Sequence, residues 1–500
     1  MSDKVNVKVN EQDNVKKKES MSLLDFFCIG FGCIVGVGWA LTVNRWMANT
    51  GGPIPASVGY LVALLLMTPI GFAYAELVPM MPVAGGGAAF AHKAFGEKIA
   101  FISGWACFGG FVWILPWEAI MVAEIVSMIF PRILFEGGYL YQFQGWGVHI
   151  SHILMGAACT IFLFVLNLRG GGASAKFQRI FVIFMIGAAT IAIIAAFLRF
   201  DPQNLMPIYE NVRDRQHSNF FGGMMTILLL APFFLAGFET IPQVAENSNA
   251  DPKKIGKVVI LSITLACLFY AVLLIALGGA MPWIEFWSDG EFGTPAAGLL
   301  LQRVYGDLPL IGNTLFIILT LGALTGLITT WNGFMKASSY LLMGMGRAKM
   351  VPSFFTKLHP KYGTPYVGLI FCGIVSIIGP FLGFNMIDGI TELAGAAFVT
   401  TWCITAFCLV KLRKTMPDAH RPYKMPGGPV LAFIAGSILL GALIFMFLPF
   451  GWNPLFMGWL TVAYCVSWAA IGLMFYLMAS KERNSVSLEE RSRSLFEAKR

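Results

Sequence analysis

The chain has 500 residues, of which 57% are hydrophobic and only 12% charged, with a formal net charge of +8 and a mean hydropathy of +0.71. So little polar surface cannot cover a soluble globule, which excludes the soluble classes and leaves a polytopic membrane protein. Of the 35 Lys and Arg residues, all but Arg45, Arg132, Arg199, Arg213, Arg215, Arg303 and Lys336 fall on one side of the predicted spans, which places that side and both termini in the cytoplasm. Basic loops there face anionic lipid headgroups, and no nucleic-acid partner is needed to explain them.

In chain order, residues 1–20 form a polar, lysine-rich cytoplasmic tail, and the apolar run that follows is too long for a signal peptide. Residues 21–480 form the transmembrane domain. Twelve stretches reach the ~20 residues that a ~30 Å hydrocarbon core requires, near 25–47, 54–79, 99–130, 149–168, 177–199, 220–245, 258–280, 310–344, 364–384, 388–410, 429–449 and 454–479. The outer loop from Met281 to Pro309 contains "TPAAGLLLQRVYGDL", the pattern of a short amphipathic helix. Residues 481–500 are a charged cytoplasmic tail. The nine cysteines lie in apolar segments without a CxxC pair, so they read as small core residues, and neither disulfides nor a metal site is expected.

Two spans are interrupted. The first carries "CIVGVGWALT" (33–42), and a glycine inside a helix costs about 1 kcal/mol relative to alanine. Lipid offers nothing to a freed backbone group. Gly32 and Gly36, four residues apart, fit close helix packing; a helix broken around a ligand is the alternative. The sixth span carries "APFFLAGFETIPQVAEN" (231–247), where Pro232 removes a donor, Gly237 loosens the helix and Glu239 puts a carboxyl group at membrane depth. Breaks five spans apart suggest inverted repeats over about 25–199 and 220–410, with two extra helices over about 429–479. Half-helix N-termini at such breaks suit a carboxylate, and freed carbonyls suit an ammonium group or a cation.

Several segments together resemble the amino acid-polyamine-organocation superfamily of secondary transporters over nearly the whole chain. "IGFGCIVGVGW" (29–39) is similar to its first-helix glycine motif, and "TGGPIPASVGYLVALLLMTPIGFAYAELVPMMPVAGG" (50–86) to its second helix. "FFLAGFET" with "AEN" (233–247) and the following "DPKKIGK" resemble the sixth helix and its loop. "GMGRAKMVPSFFTKLHPKYGTP" (344–365) and "RPYKMPGGP" (421–429) resemble the loops after helices eight and ten. The resemblance implies an all-α fold of about 12 transmembrane helices, a five-plus-five inverted repeat with helices 1 and 6 broken, and alternating access about a midplane site.

Glu118, 14 residues after Gly104 and 13 before Pro131, falls near the bilayer midplane at ~1.5 Å per residue. A charge there costs about 2.5 to 3.5 kcal/mol on insertion scales, so it needs a partner or a task. Its position resembles the acidic position in helix three of bacterial and fungal amino acid permeases, where it would meet the substrate ammonium or carry a coupling proton. A hydrogen-bonded structural carboxyl is the other reading, and Glu124, two turns on, reads as structural or interfacial. Many proton-coupled relatives place a lysine about seven residues after the glutamine of helix five, but counting from Gln178 reaches Met185. Lys336, within "TTWNGFMKASSYLLMG", is then either an electrostatic substitute or the partner of an intramembrane glutamate. Thr329 and Thr330 are weak sodium-ligand candidates. His149 and His152 read as interfacial, and Trp113, Trp117 and Trp283 as belt or packing residues. Phe233 matches a family position for a gating aromatic, and Glu76 a family position of structural role; Glu246 belongs to a solvated cytoplasmic end.

These residues point to a secondary active transporter, working by ion-coupled symport or exchange, for an amino acid or related amine in a bacterial inner membrane. The substrate carboxylate would sit on the backbone of Val35, Gly36, Val37, Gly38 and Trp39. Its ammonium would meet carbonyls around Phe234, Ala236 and Gly237, with Phe233 as gate and Glu118, Glu239 and Lys336 as coupling or structural charges. No cofactor is expected beyond a possible proton or sodium ion. A polyamine or ethanolamine-type organocation is the alternative substrate, and a transporter-fold sensor the alternative role. No HExxH, GxSxG or Walker motif supports an enzyme or an ATP-driven pump.

Overall fold

The first apolar run folds as three helical pieces instead of one. In the computed structural model, which describes residues 22–130, 138–143, 145–212, 219–245, 251–288, 296–449 and 457–496, helix α1 (Leu23–Val35) begins at Ser22. The Ser22 hydroxyl accepts the Asp25 amide at 3.2 Å, and the Asp25 carboxylate accepts the Ser22 amide at 2.9 Å, a reciprocal cap that satisfies two helix-end donors. Gly36 ends α1 with φ +42°, α2 (Gly38–Leu41) and α3 (Val43–Thr50) continue the span, and Gly51 ends α3 in the left-handed region with φ +79°.

The second and third spans are α4 (Pro53–Met80) and α6 (Glu97–Ile129), joined by the short α5 (Gly86–Phe95). A small antiparallel pair, β1 (Tyr141–Phe143) and β2 (Trp146–Val148), leads into α7 (Ile150–Leu168) and α8 (Gly171–Leu198). The sixth span is divided into α9 (Phe220–Leu235) and α10 (Thr240–Ala245), and α11 (Pro252–Ala280) is the seventh. Two short helices, α12 (Trp283–Ser288) and α13 (Ala296–Val304), precede the long α14 (Pro309–Arg347). The bundle closes with α15 (Tyr366–Leu382), α16 (Ile387–Thr415), α17 (Gly428–Phe447) and α18 (Gly458–Met478), followed by α19 (Ser480–Asn484) and α20 (Leu488–Phe496).

Among the described residues ten helices are long and apolar enough to cross a membrane, the bent pair of the sixth span makes an eleventh, and α15, at 17 residues, is a shorter apolar helix. The protein is therefore an all-α polytopic membrane protein, and its apolar helices fall where hydropathy predicts all twelve spans. The amphipathic helix expected in the outer loop is α13. Hydropathy did not anticipate α5, which is too short to span and is buried between α6, α16 and the sixth span. The C-terminal tail is also more ordered than its charge suggests: Leu495 of α20 is buried, and Arg483 and Arg491 both pair with Glu97. The N-terminal tail, Arg132, Arg213, Arg215 and Glu246 lie outside the described residues.

Glu76 near the end of α4 ties the second span to the tenth and to the loop after it. Its fully buried carboxylate lies 2.6 Å from the Arg413 guanidinium and 3.0 Å from that of Arg421, and accepts the Met425 amide at 2.7 Å. Removing one member of such a buried cluster leaves uncompensated charge. Glu76→Ala is expected to cost about 3–5 kcal/mol, read as a lowered unfolding midpoint in detergent, whereas removing the exposed Glu489–Arg493 pair should cost less than about 1 kcal/mol.

Candidate functional site

The two broken spans meet at their breaks. Gly237 has φ +147°, and a Cβ added there would lie 2.6 Å from the Ile34 amide nitrogen and 2.7 Å from the Cys33 carbonyl carbon, so the sixth span presses its bare backbone on the end of α1. On the other side of α1, a Cβ on Gly326 of α14 would lie 2.1 Å from the Gly36 carbonyl oxygen, and one on Gly36 would lie 2.5 Å from Thr330 Oγ1. Only glycine admits these approaches and, at Gly36 and Gly237, these dihedrals. The first-span glycines pack closely, and the helix is broken at Gly36.

Backbone groups released by the breaks need partners where water is scarce. The Gly237 amide turns away from its helix and donates to Glu239 Oε2 at 2.7 Å, while Glu239 Oε1 accepts the Trp402 indole N–H from α16. The Tyr270 hydroxyl of α11 lies 3.0 Å from both the Ile34 and the Val35 carbonyls at the end of α1. Tyr270 and Trp402 did not stand out in sequence, because a single aromatic in an apolar span looks like core. The amides of Val37, Gly38 and Trp39, by contrast, donate to no described acceptor.

A cavity of about 20 Å³ lies against residues 33–38, with Ile114, Trp117 and Glu118 from α6, Phe233 and Phe234 from α9, and Thr330 and Phe334 from α14. Of the predicted substrate residues it therefore gathers Val35, Gly36, Val37, Gly38, Glu118, Phe233 and Phe234, while Trp39, Ala236 and Gly237 stand outside its lining. That volume is close to a single water, so the site is closed in this conformation. Phe233 packs on Trp117 with ring centroids 5.7 Å apart, and Phe234 on Trp46 at 4.9 Å. Glu118 is 2% exposed, and its Oε2 has no hydrogen-bond partner. A buried carboxyl oxygen in this state is costly unless a ligand or a proton completes it.

The other charges are arranged differently. Lys336 on α14 is buried, its Nζ has no hydrogen-bond partner, and the carboxylate whose field reaches it is Asp25, which already lies 3.4 Å from Arg179. No pairing of Lys336 with an intramembrane glutamate is present among the described residues. Met185 is fully buried, with its sulfur facing Gly326 beside the first break. Thr329 and Thr330 turn their hydroxyls to the Gly326 carbonyl at 2.8 and 2.9 Å. Below them a polar network that the sequence did not reveal runs from Asn167 to Asn332 at 2.9 Å and from Asn332 to Gln178 at 2.8 Å, and Gln178 donates to the Thr329 carbonyl at 3.0 Å. His149 contacts the Gly138 carbonyl through Nδ1 at 3.0 Å in the loop before α7.

Comparison with known proteins agrees with this geometry. The family model for amino acid permeases matches residues 21–476. The chain belongs to that family. It is 25% identical to the branched-chain amino acid permease BcaP of Bacillus subtilis, over 94% of this chain and 95% of the relative. It is 24% identical to the methylthioribose transporter of the same organism, with 93% and 94% covered, and 25% identical to its aspartate-proton symporter, with 97% and 88% covered. The permease is thus a transporter, with a small-molecule substrate and no enzymatic motif in its spans.

The close approaches separate two kinds of glycine. A Cβ on Gly38 would meet side chains, the Phe234 ring at 2.7 Å and the Trp46 ring at 3.4 Å, whereas one on Gly237 meets backbone. Gly38→Ala is expected to yield folded protein with substrate affinity lowered about tenfold, a loss of about 1.4 kcal/mol. Gly237→Ala should instead fail to give a monodisperse peak on size exclusion.

Proposed function

We propose that the permease is a secondary active amino acid transporter of a bacterial cell membrane, with both termini cytoplasmic, that works by alternating access and is coupled to protons. One observation carries this reading: the carboxyl oxygen of Glu118 and the amides of Val37 and Gly38, none with a partner among the described residues, border one cavity closed by Phe233 and Phe234. A zwitterion satisfies both. Its carboxylate takes the amides that follow the first break, and its ammonium takes Glu118 together with the Phe233 carbonyl, which the Gly237 amide has left. Ligand binding at bare helix ends is the design of broken-helix transporters, and closure around the ligand is what keeps the two sides of the membrane apart.

Glu118 is the group whose charge the substrate changes, so it is the proton-linked residue of the cycle. Glu239 is the structural carboxyl, since both of its oxygens hold the second break in place. Lys336 supplies the fixed positive charge that the helix-five lysine supplies in proton-coupled relatives, with Met185 filling the vacated position.

Uptake of labelled amino acids into proteoliposomes tests this reading. A proton gradient should drive accumulation of at least one zwitterionic amino acid, a sodium gradient should not, and the methyl ester of that amino acid should compete at least tenfold less well. Accumulation of amines that lack a carboxylate, with no zwitterion carried, would replace the reading with organocation transport. Glu118→Gln should lower gradient-driven uptake at least tenfold. Lys336→Met should abolish accumulation yet retain exchange of internal for external substrate; loss of both would give Lys336 a role in binding or folding instead of coupling.

A further inference from the structure

On the outside of the bundle, away from the central cavity, α6, α16 and α18 stand apart and leave an apolar groove of about 430 Å³. Its floor is the stacked pair Trp105 and Trp468, with ring centroids 4.6 Å apart, and this pair is locked: the Trp105 indole donates to the Trp468 carbonyl at 2.9 Å. Glycine makes that fit possible, since a Cβ on Gly109 would meet Trp468 at 2.3 Å and one on Gly472 would meet Trp105 at 2.4 Å. Ile102 and Leu473 on the groove rim are about half exposed, at 49% and 55%. The groove therefore opens sideways to the bilayer.

Its length and its one charged end identify the occupant. Along α18 the lining runs from Cys465 to Tyr476, about 17 Å at 1.5 Å per residue, close to half of the ~30 Å hydrocarbon core. That is the depth of one leaflet. The groove ends at Lys98 on the first turn of α6, on the side where the chain leaves the membrane into α19 and α20. The carboxylate nearest in sequence, Glu97, is engaged by Arg483 at 3.1 Å and by Arg491, and it also accepts the Tyr476 hydroxyl. Lys93 stands over the Phe496 ring at 5.8 Å. Lys98 is exposed and has no partner among the described residues, and it is the charged residue of the groove's lining, while Arg483 and Arg491 are taken up by Glu97.

We propose that this groove binds an anionic phospholipid, with one acyl chain between α6, α16 and α18 and the phosphate on the Lys98 ammonium. A lysine with no ion-pair partner among the described residues, at the end of an apolar slot one leaflet deep, fits that chemistry and disfavours a zwitterionic lipid, whose own ammonium meets the same lysine. The lipid lies against the two helices that supply Glu118 and the Trp402 partner of Glu239. Its occupancy is therefore placed to set how freely α6 and α16 move past α18.

Native mass spectrometry of the purified full chain, with added phosphatidylglycerol or phosphatidylcholine, tests the site without reference to transport. Wild type should retain phosphatidylglycerol at least tenfold better. Lys98→Gln should reduce that ratio to near one. Ala469→Trp, which fills the groove from an exposed rim position, should abolish retention of both lipids with the unfolding midpoint kept. Equal retention of the two lipids by wild type, or retention unchanged in both variants, would overturn the proposal. So would a wild-type dimer that Ala469→Trp converts to monomer without altering lipid retention, since a second copy of the chain would then be the occupant.

Discussion

Everything at the centre of this protein depends on two broken helices touching backbone to backbone in a region without water. A helix satisfies its own amides and carbonyls, which is why helices cross membranes at all, and a break forfeits that satisfaction for several groups at once. Here the breaks are placed against each other, with Gly237 on Cys33 and Ile34 and Gly326 on Gly36. The released groups are then divided into those that the protein satisfies and those that donate to no described acceptor. Tyr270, Glu239 and Trp402 take the first set. The amides of residues 37–39 form the second.

Two of the buried glutamates, Glu239 and Glu118, show how neighbours, and not residue type, set a side chain's state. Glu239 follows its break by two residues and spends both oxygens, on the Gly237 amide and the Trp402 indole. Glu118 sits within an unbroken helix among apolar side chains and keeps one oxygen without a partner. The first is the splint that holds the broken backbone, and the second is a buried carboxyl with an oxygen that no described group satisfies. Glu76 represents a third arrangement, a carboxylate clamped by two guanidiniums at the membrane edge, where it fastens helices that bear the site without reaching it.

Much of this architecture was legible in the sequence because spanning a bilayer imposes a length and a composition that a hydropathy pattern registers directly. The interrupted first and sixth spans were legible for a related reason: glycine and proline are costly inside a spanning helix, so Gly36, Gly38, Pro232 and Gly237 mark the breaks. Glu118 was conspicuous because charge at the midplane is rare. Tyr270, Trp402 and the Asn167, Asn332 and Gln178 network were not, because a tyrosine, a tryptophan or an asparagine in an apolar run looks the same whether it meets lipid, core or a freed carbonyl. The short α5 and the docked C-terminal helix α20 were missed because each is too short or too polar for periodicity to register, and each is held by contacts with distant segments.

The sequence by itself determined that this chain is an all-α polytopic membrane protein, where its helices must yield, and which carboxyl group lies in the middle of an apolar span. Those are properties of single segments, decided by the cost of polar groups in hydrocarbon. Only the tertiary structure decided which broken end meets which, that Glu239 has both oxygens engaged while Glu118 does not, and that, among the described residues, Lys336 has no hydrogen-bond partner and Lys98 ends a groove instead of an ion pair. Those are properties of pairs of residues far apart in the chain, and no periodicity along one segment records the distance to another.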